Sequence, residues 1–239
     1  MNEFYVVIPS RLDSKRLARK ALALIDGKPL IQWVYHRAIA SKAKSVIIAT
    51  DSEEIASVAR SFGAIVELTN EDHKSGTDRI FEVCDRLNWD DDQVVVNLQG
   101  DNPLMPPENI NQIAQMMNDC DIATLSAPIQ DHEIIDPNVV KVSTDPSSND
   151  ALFFKRNINS GDFKKNLGRH IGIYAYNVAS LKRFSLSPQS EDEKREKLEQ
   201  LRAYSLDMRI KVEQAQLIPG PDVDTQDDLK LVQSILQND

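Results

Sequence analysis

The sequence is poor in glycine, in cysteine and in long apolar runs. Only eight of its 239 residues are glycine, and none forms the GxGxxG or GxxxxGK[ST] pattern of common phosphate-binding loops. Cys84 and Cys120 lack a CxxC spacing, so we expect small buried thiols. No stretch approaches the ~20 apolar residues of a membrane-spanning helix, and the N-terminus does not resemble a signal peptide. We therefore expect a soluble, cytoplasmic protein that would bind phosphate largely through side chains.

The chain also lacks an excess of positive charge. Its 28 Lys and Arg residues face 37 Asp and Glu residues, which gives a formal net charge of −9. Nucleic acids and anionic membranes require a broad basic surface, so we expect neither as a partner. Residues 11–20 (RLDSKRLARK) are the exception, because five of them are basic and one is acidic. This segment suggests a compact anionic ligand.

Hydrophobic patterning predicts an α/β fold with a mostly parallel, doubly wound sheet. Apolar runs typical of buried strands alternate with segments of helical spacing in the first half of the chain. The predicted strands there are residues 4–8, 45–49, 64–68, 93–98 and 122–125. The predicted helices are residues 30–41, 52–62, 77–87 and 108–117.

The pattern changes after about residue 126. Strand-like segments then dominate and predict a mixed or antiparallel extension, at residues 138–143, 151–155, 169–176 and 210–214. A charged helix is predicted over residues 190–205, with Leu198, Leu201 and Ser205 inward, and a closing helix over 225–236. We expect one domain over 1–239, with a first half at about 1–126, an inserted substrate lobe at about 127–220 and a closing segment at 221–239.

Polar segments follow the first four predicted strands. They are residues 9–11 (PSR), Asp51, residues 72–79 (DHKSGTDR) and residues 99–103 (QGDNP). Ligands of open α/β sheets bind beyond the carboxyl ends of the strands. The four segments should therefore line one face of the protein.

Two of these regions carry groups suited to phosphate. In the basic segment, Arg11 and Arg16 can bind phosphate oxygens with two N–H groups each, and Lys20 supplies a compact charge. The alternative is a solvated basic loop. The SGT tripeptide at 75–77 precedes a predicted helix and can offer amides and hydroxyls to an anion or a sugar. The alternative is an ordinary helix N-cap, worth ~1 kcal/mol.

Aspartates supply the candidate metal ligands. Asp101 follows a glycine at the end of a central strand and is a candidate Mg²⁺ ligand, although GDNP is also a good turn sequence. Asp222 and Asp224 share a face if their segment is extended, although Asp224 or Thr225 could instead cap the last helix. Two carboxylates ~4 Å apart repel by about 4 kcal/mol at an effective dielectric of ~20. If Asp101 and Asp224 converge, a cation or a shared proton must offset that repulsion.

Two later segments are less specific. In a strand over 169–176 (RHIGIYAY), His170, Gly172, Tyr174 and Tyr176 would share one polar face with a gap for a ligand. The alternative is a surface strand. Residues 196–202 (EKLEQLR) place polar side chains around two leucines, which a solvated helix would also do.

As an ordered set, these motifs resemble one family closely. IPSR…K, ATDSEEI, DHKSGTDR, NLQGDNPL, RHIGIYAY, EKLEQLR and VDTQDDL occur in the order found in 3-deoxy-manno-octulosonate cytidylyltransferases, over residues 6–229. The resemblance implies a nucleotide-diphospho-sugar transferase fold with a sugar-binding and dimerisation lobe. It also implies a homodimer that joins CTP to the sugar acid 3-deoxy-D-manno-octulosonate (Kdo) with Mg²⁺. The products are diphosphate and CMP-Kdo, a precursor of lipopolysaccharide.

The resemblance also implies roles for individual residues. The catalytic residues would be Arg11, Lys20 and Asp101. The nucleotide would contact Ser10, Arg11, Arg16, Lys20, Ser75, Gly76, Thr77 and Arg79. The sugar would contact Gln99, Arg156, His170, Tyr174, Glu199 and Gln200. The Mg²⁺ ligands would be Asp101 and Asp224.

The chain departs from the family's pattern in three places. The basic loop ends Leu-Ala-Arg-Lys where the family has Leu-Pro-Gly-Lys, so Arg19 stands in place of glycine. Asn102 stands where the family has Glu. Residues 153–159 (FFKRNIN) replace its Tyr-Phe-Ser-Arg-x-x-Ile-Pro, and Lys155 adds a cation near the expected sugar site.

These departures keep three alternative functions open. The nearest is the same reaction on 8-amino-3,8-dideoxy-manno-octulosonate, because the altered segments leave the identity of the sugar open. A second is a glycosyltransferase that uses Asp222 and Asp224 as an Asp-x-Asp pair. A third is an inactive nucleotide binder.

Overall fold

The computed structural model describes residues 3–14, 16–159, 161 and 166–237. The strands in that part of the chain are β1 (Phe4–Ser10), β2 (Leu24–Ile25), β3 (Lys28–Pro29), β4 (Ser45–Thr50), β5 (Ile65–Leu68), β6 (Val94–Leu98), β7 (Ile122–Pro128), β8 (Lys141–Thr144), β9 (Ala151–Lys155), β10 (Asn166–Asn177) and β11 (Ile210–Gln214). The helices are α1 (Leu30–Ile39), α2 (Glu53–Ser61), α3 (Gly76–Arg86), α4 (Pro107–Gln115), α5 (Asp131–Ile135), α6 (Val178–Ser185), α7 (Glu191–Glu196), α8 (Gln200–Ser205) and α9 (Gln226–Leu236). A short 3-10 helix spans Lys20–Leu22.

One mixed sheet organises the molecule and confirms the predicted α/β class. Its main path runs β11, β7, β10, β6, β1, β4, β5. The pairs of β1 with β4 and β6, of β4 with β5 and of β11 with β7 are parallel. The long strand β10 lies antiparallel between β6 and β7. The first residues of β10 also pair with β8, and β8 pairs with β9, both in antiparallel orientation. The second half of the chain thus joins the same sheet as the first.

The strands are apolar on both faces because helices cover both faces. Val6 and Ile8 of β1 belong to one buried cluster, while Val7 between them belongs to the other. Such continuous apolar runs are typical of strands buried on two sides. No helix among the described residues has the length and apolar character to cross a membrane.

Two of the predicted elements are wrong. Residues 190–205 form two helices, because Lys197 adopts a left-handed conformation (φ 55°) after α7 and α8 starts at Gln200. The buried pair of Glu193 with Arg202 joins the two helices, and Ser205, expected inward, is exposed. The strand predicted from residue 138 begins at residue 141, since Asn138 donates its backbone N–H to the Asp136 carboxylate in a turn. The helices α5 and α6 were not predicted.

Candidate active site

A cavity of about 430 Å³ opens at the carboxyl ends of β1 and β6. This volume falls in the range of small-molecule sites. Most residues predicted for the site line it, namely Ser10, Arg11, Arg16, Lys20, Ser75, Gly76, Arg79, Gln99, Asp101, Glu199 and Asp224. The rule that ligands bind beyond the strand ends therefore located this cavity correctly.

Lys20 lies between the two predicted metal ligands. Its Nζ is 2.7 Å from Asp101 Oδ2 and 3.0 Å from Asp224 Oδ1. Arg16 adds a second cation, with Nη2 2.8 Å from Asp224 Oδ2. Burial lowers the pKa of Lys20, but the two carboxylates outweigh it, so that the net pKa lies above the ordinary value. The lysine is therefore charged in this position.

Backbone and capping bonds hold the two aspartate loops together. The N–H of Val223 donates to the carbonyl oxygen of Asp101 at 2.9 Å. Thr225 caps α9 and forms a capping box with Asp228, so the cap does not require the carboxylate of Asp224. That carboxylate faces the cavity.

A third carboxylate stands beside this pair. The Asn102 amide, where the family has Glu, donates to Asp222 Oδ1. Although Asp222 is partly open to solvent, the surrounding protein limits its solvation and raises its pKa, and Asp101 and Asp224 raise the pKa further. Of the predicted Asp-x-Asp pair, Asp224 lines the cavity and Asp222 does not.

Two cations in the cavity have no acidic partner among the described residues. Arg11 and Lys74 line it, and neither forms an ion pair within the part of the chain that the structure describes. In all, the lining carries five Lys and Arg side chains against four Asp and Glu side chains, in a protein with a net charge of −9. The cavity is thus the local exception that the basic segment predicted.

Arg19 points away from this cavity. It adopts the left-handed conformation (φ 55°) just before the 3-10 helix, where the family has glycine. Its guanidinium pairs with Glu54 on α2, and it does not line the cavity. The extra charge of the loop therefore serves an ion pair on the surface.

The start of α3 forms another wall. Ser75 is its N-cap and accepts the N–H of Asp78 at 3.2 Å, which confirms the capping interpretation and leaves anion binding open.

Gly100, in the loop after β6, packs against β1, because a Cβ there would lie 2.9 Å from the carbonyl oxygen of Pro9. A side chain at this position would push the β6 loop away from the cavity.

Arg79 is fixed by its neighbours at the edge of the cavity. Its Nη2 lies 2.5 Å from Asp51 Oδ2, and its Nη1 donates to Thr69 Oγ1. The side chain is 4% exposed. Asp51, which was expected at the cavity, thus positions Arg79.

Glu199 connects the cavity to amino acids that were predicted to contact the sugar but lie outside the cavity. Its Oε2 accepts the Thr77 hydroxyl at 2.8 Å. Limited solvation raises the pKa of Glu199, against the opposing effect of Thr77 and Arg202. Next to it, Gln200 donates to the Tyr174 hydroxyl. Thr77, Tyr174 and Gln200 do not line the cavity themselves.

The strand residues 170–176 share faces as predicted; their polar face is packed at His170 and Tyr174, and the predicted gap at Gly172 is open, with nothing within 4 Å of an added Cβ. His170 and Tyr174 lie with ring centroids 5.5 Å apart, and Phe154 meets His170 edge-on. The hydroxyl of Thr124 lies 2.8 Å from the Ile173 carbonyl and 2.9 Å from His170 Nε2. With its one hydrogen given to the carbonyl, it accepts from Nε2–H, and burial, which lowers the pKa of His170 to about 3, keeps the imidazole neutral. His170 does not reach the cavity.

Arg156 and Lys155 lie elsewhere. Arg156 Nη1 donates to the Pro137 carbonyl at 3.2 Å, and the residue does not line the cavity. Lys155 places Nζ 4.6 Å from the centroid of the Phe153 ring. Lys155 and Phe153 therefore lie on one face of β9, and Phe154, which contacts His170, lies on the opposite face. The cation expected near the sugar site therefore lies on the other face of its strand.

Several lining residues were not named individually from the sequence. His73, within the predicted segment 72–79, lines the cavity and pairs with Glu82. Asp13, Ser14 and Lys74 also line it. The signal for Lys74 was its place beside Ser75 and Gly76 in a segment that follows a strand.

The comparisons with known proteins agree with this geometry. Residues 5–210 match the family model described as cytidylyltransferase. A 3-deoxy-manno-octulosonate cytidylyltransferase of Thioalkalivibrio sulfidiphilus is 44% identical over 250 residues, covering 98% of this chain and 99% of the relative. A protein of the same name from Francisella tularensis subsp. holarctica is 46% identical over 252 residues, with the same coverage of both chains.

Solved structures support the same assignment. A CMP:2-keto-3-deoxy-manno-octonic acid synthetase complexed with CTP has a TM-score of 0.90 to this chain at 36% identity, over 99% of both chains. A 4-diphosphocytidyl-2C-methyl-D-erythritol synthase has a TM-score of 0.68 at 11% identity, over 98% of this chain and 100% of the other, and shows a shared fold alone. Since the sequence matches span nearly the full length, the chain belongs to the 3-deoxy-manno-octulosonate cytidylyltransferase family.

Proposed function

We propose that this enzyme transfers the cytidylyl group of CTP to Kdo, giving CMP-Kdo and diphosphate for lipopolysaccharide synthesis. One observation carries the proposal beyond family membership: the basic loop after β1 and the aspartates after β6 and before α9 meet in one cavity. In the reaction, the anomeric hydroxyl of the sugar attacks the α-phosphorus. A new O–P bond forms, the bond from the α-phosphorus to the β-phosphate oxygen breaks, and the hydroxyl proton is lost. Such transfers depend on positioning and charge neutralisation.

The cations of the cavity bind the leaving group in this proposal. Arg11 contacts the phosphate oxygens directly, because no acidic group within the described residues competes for it. Lys20 and Arg16 hold the β- and γ-phosphates and stabilise the charge that develops on diphosphate. Ser10, Ser75, Gly76 and Arg79 then lie on the nucleotide side.

The acidic residues fit a divalent cation. Asp101 and Asp224 both lie within 3.0 Å of one ammonium nitrogen, so their oxygens converge on a single cation-sized point. The described residues contain no group of three or more His, Cys, Asp or Glu side chains arranged for a metal. Mg²⁺ commonly takes one or two carboxylates and completes its shell with phosphate oxygens and water. When bound, it would neutralise charge on the α-phosphate and orient the sugar.

The sugar side of the proposal separates direct from indirect roles. Gln99 and Glu199 line the cavity and contact the sugar hydroxyls. His170, Tyr174 and Gln200 form a connected group outside the cavity, in which Gln200 donates to the Tyr174 hydroxyl and the Tyr174 ring packs against His170. The proposal gives Arg156 a sugar contact only if the substrate extends beyond the cavity.

The decisive experiment measures diphosphate release from CTP and Mg²⁺ with either Kdo or its 8-amino analogue. Release with Kdo at the higher kcat/KM supports the proposal. Preference for the analogue assigns the second sugar instead, and no release with either sugar contradicts the proposed reaction. Transfer of a sugar from a nucleotide-sugar donor would indicate a glycosyltransferase, and CTP binding without any turnover would indicate an inactive binder.

The quaternary state is a separate proposal. We propose a homodimer, which the family resemblance implies. Sedimentation equilibrium over a concentration range tests it, and a single monomeric species at working concentration would contradict it.

A further inference from the structure

The cations assigned to the triphosphate and the carboxylates assigned to the metal are bound to each other. Lys20 joins Asp101 and Asp224, and Arg16 adds its own bond to Asp224. The Lys20 and Asp101 side chains are only 18% and 27% exposed, so water screens this contact less than a surface ion pair. Lys20, Arg16 and the two carboxylates are therefore not immediately available to their proposed ligands, whereas Arg11 is.

We propose that Lys20 is an internal stand-in for the metal, which exchanges partners when the metal and the triphosphate bind together. The inference rests on the proposed function, since it assumes that a divalent cation binds at Asp101 and Asp224. A cation that arrives alone must displace an ammonium from both carboxylates. A metal that arrives with the triphosphate brings the phosphate oxygens that Lys20 needs as new partners.

The exchange balances the charges of the site in both states. Without ligands, the ammonium offsets the repulsion between two converging carboxylates. With ligands, the metal takes over that task, and Lys20 and Arg16 turn to the phosphates. The consequence is thermodynamic coupling, because each of the two ligands strengthens the binding of the other. Free metal alone then binds weakly.

The test measures binding of Mn²⁺ alone to the intact enzyme, from the loss of the free-ion signal in electron paramagnetic resonance. Mn²⁺ serves as the probe because it accepts the same oxygen ligands as Mg²⁺. Lys20→Met should bind Mn²⁺ about fivefold tighter or more than the wild type, since one competing charge is removed. Arg16→Met should bind Mn²⁺ tighter by a smaller factor, because Arg16 is 65% exposed and pairs with Asp224 but, among the described residues, not with Asp101.

Two control variants separate this effect from a change in net charge. Lys44→Met removes one charge from a pair with Glu3 at the opposite end of the sheet and should leave Mn²⁺ binding unchanged. Lys20→Arg keeps a cation between the carboxylates and should stay near the wild type. Mg²⁺ alone should also raise the thermal midpoint of Lys20→Met more than that of the wild type.

The outcomes distinguish this inference from the proposed function. If the Lys20→Met variant folds but binds Mn²⁺ no tighter than the wild type, the proposal that Lys20 is a stand-in for the metal is wrong. If Lys20→Met does not fold, Arg16→Met decides, and Mn²⁺ binding equal to that of Lys44→Met overturns it. In both cases Mg²⁺-dependent turnover that is lost in Asp101→Asn would leave the proposed function intact. Turnover without any divalent cation would contradict the metal site itself.

Discussion

The backbone N–H of Val223 donates to the carbonyl oxygen of Asp101 at 2.9 Å, which ties the loop after β6 to the segment before α9. This bond places Asp224 opposite Asp101 without using either carboxylate. Main-chain atoms thus secure the geometry that brings the two side chains together, and both carboxylates face one cation, the Lys20 ammonium. Substitutions of these side chains should act on chemistry more than on folding.

Asp101→Asn should lower kcat by about 100-fold or more, because the variant removes one of the two carboxylates of the proposed metal site. Its unfolding midpoint should stay close to that of the wild type, since the bond to Val223 remains. Steady-state diphosphate release and thermal unfolding measure both effects. Asp227→Asn is the matched control, because Asp227 is 92% exposed and pairs only with Lys230 in the first turn of α9. Wild-type turnover in Asp101→Asn would remove Asp101 from the metal site.

Arg202→Met should destabilise the protein by about 3–5 kcal/mol, because it leaves Glu193 buried without its partner. Arg202 binds both Glu193 oxygens, at 2.8 and 2.6 Å, and its guanidinium lies 4.4 Å from the centroid of the Phe184 ring. Urea unfolding measures the loss. The double variant with Glu193→Gln should lose less than the two single losses combined, because both singles break one interaction. Additive losses would contradict a coupled pair.

The parts of the site that lie close together in the chain could be predicted from the sequence, whereas contacts between residues far apart in the chain could not. The loops after β1 and β6 were predicted because each follows an apolar strand, and strand ends meet at one edge of the sheet. Lys20 was predicted at the site, but its bonds to Asp101 and Asp224 were not. Those two residues lie 81 and 204 positions away along the chain. The break at Lys197 was also missed, because no glycine marks the left-handed residue.

The sugar residues illustrate a second limit. Alternation along the strand correctly placed His170 and Tyr174 on one face, but it could not tell whether that face meets ligand or core. Phe154, which comes from a different strand, packs against His170, while the space beside Gly172 on the same face stays open, so the sugar contacts of this face stay a prediction. Arg156 was placed by resemblance alone; its guanidinium binds main-chain carbonyls outside the cavity, and its sugar contact stays a prediction.

His170 should make stability depend on pH in mild acid. Burial lowers the pKa of its imidazole from 6.5 to about 3. Between these values the unfolded chain binds a proton that the folded chain does not, so stability falls as pH is lowered through this window. The slope for one such group is at most about 1.4 kcal/mol per pH unit. His170→Gln, which cannot titrate, should lose less stability between pH 7 and pH 4 in urea titrations. Parallel pH profiles for the two proteins would contradict a buried neutral histidine.

Arg19 tests whether the altered basic loop changes the enzyme or only its surface. Its left-handed backbone costs a residue with a side chain about 1–2 kcal/mol, and glycine avoids that cost. Arg19→Gly and Arg19→Ala both lose the pair with Glu54, which is worth at most about 1 kcal/mol at the surface. Arg19→Gly should therefore be the more stable of the two in urea unfolding. Both should keep the wild-type KM for CTP, because Arg19 does not line the cavity. A KM in Arg19→Ala that rises as much as in Lys20→Met would place Arg19 on the phosphates after all.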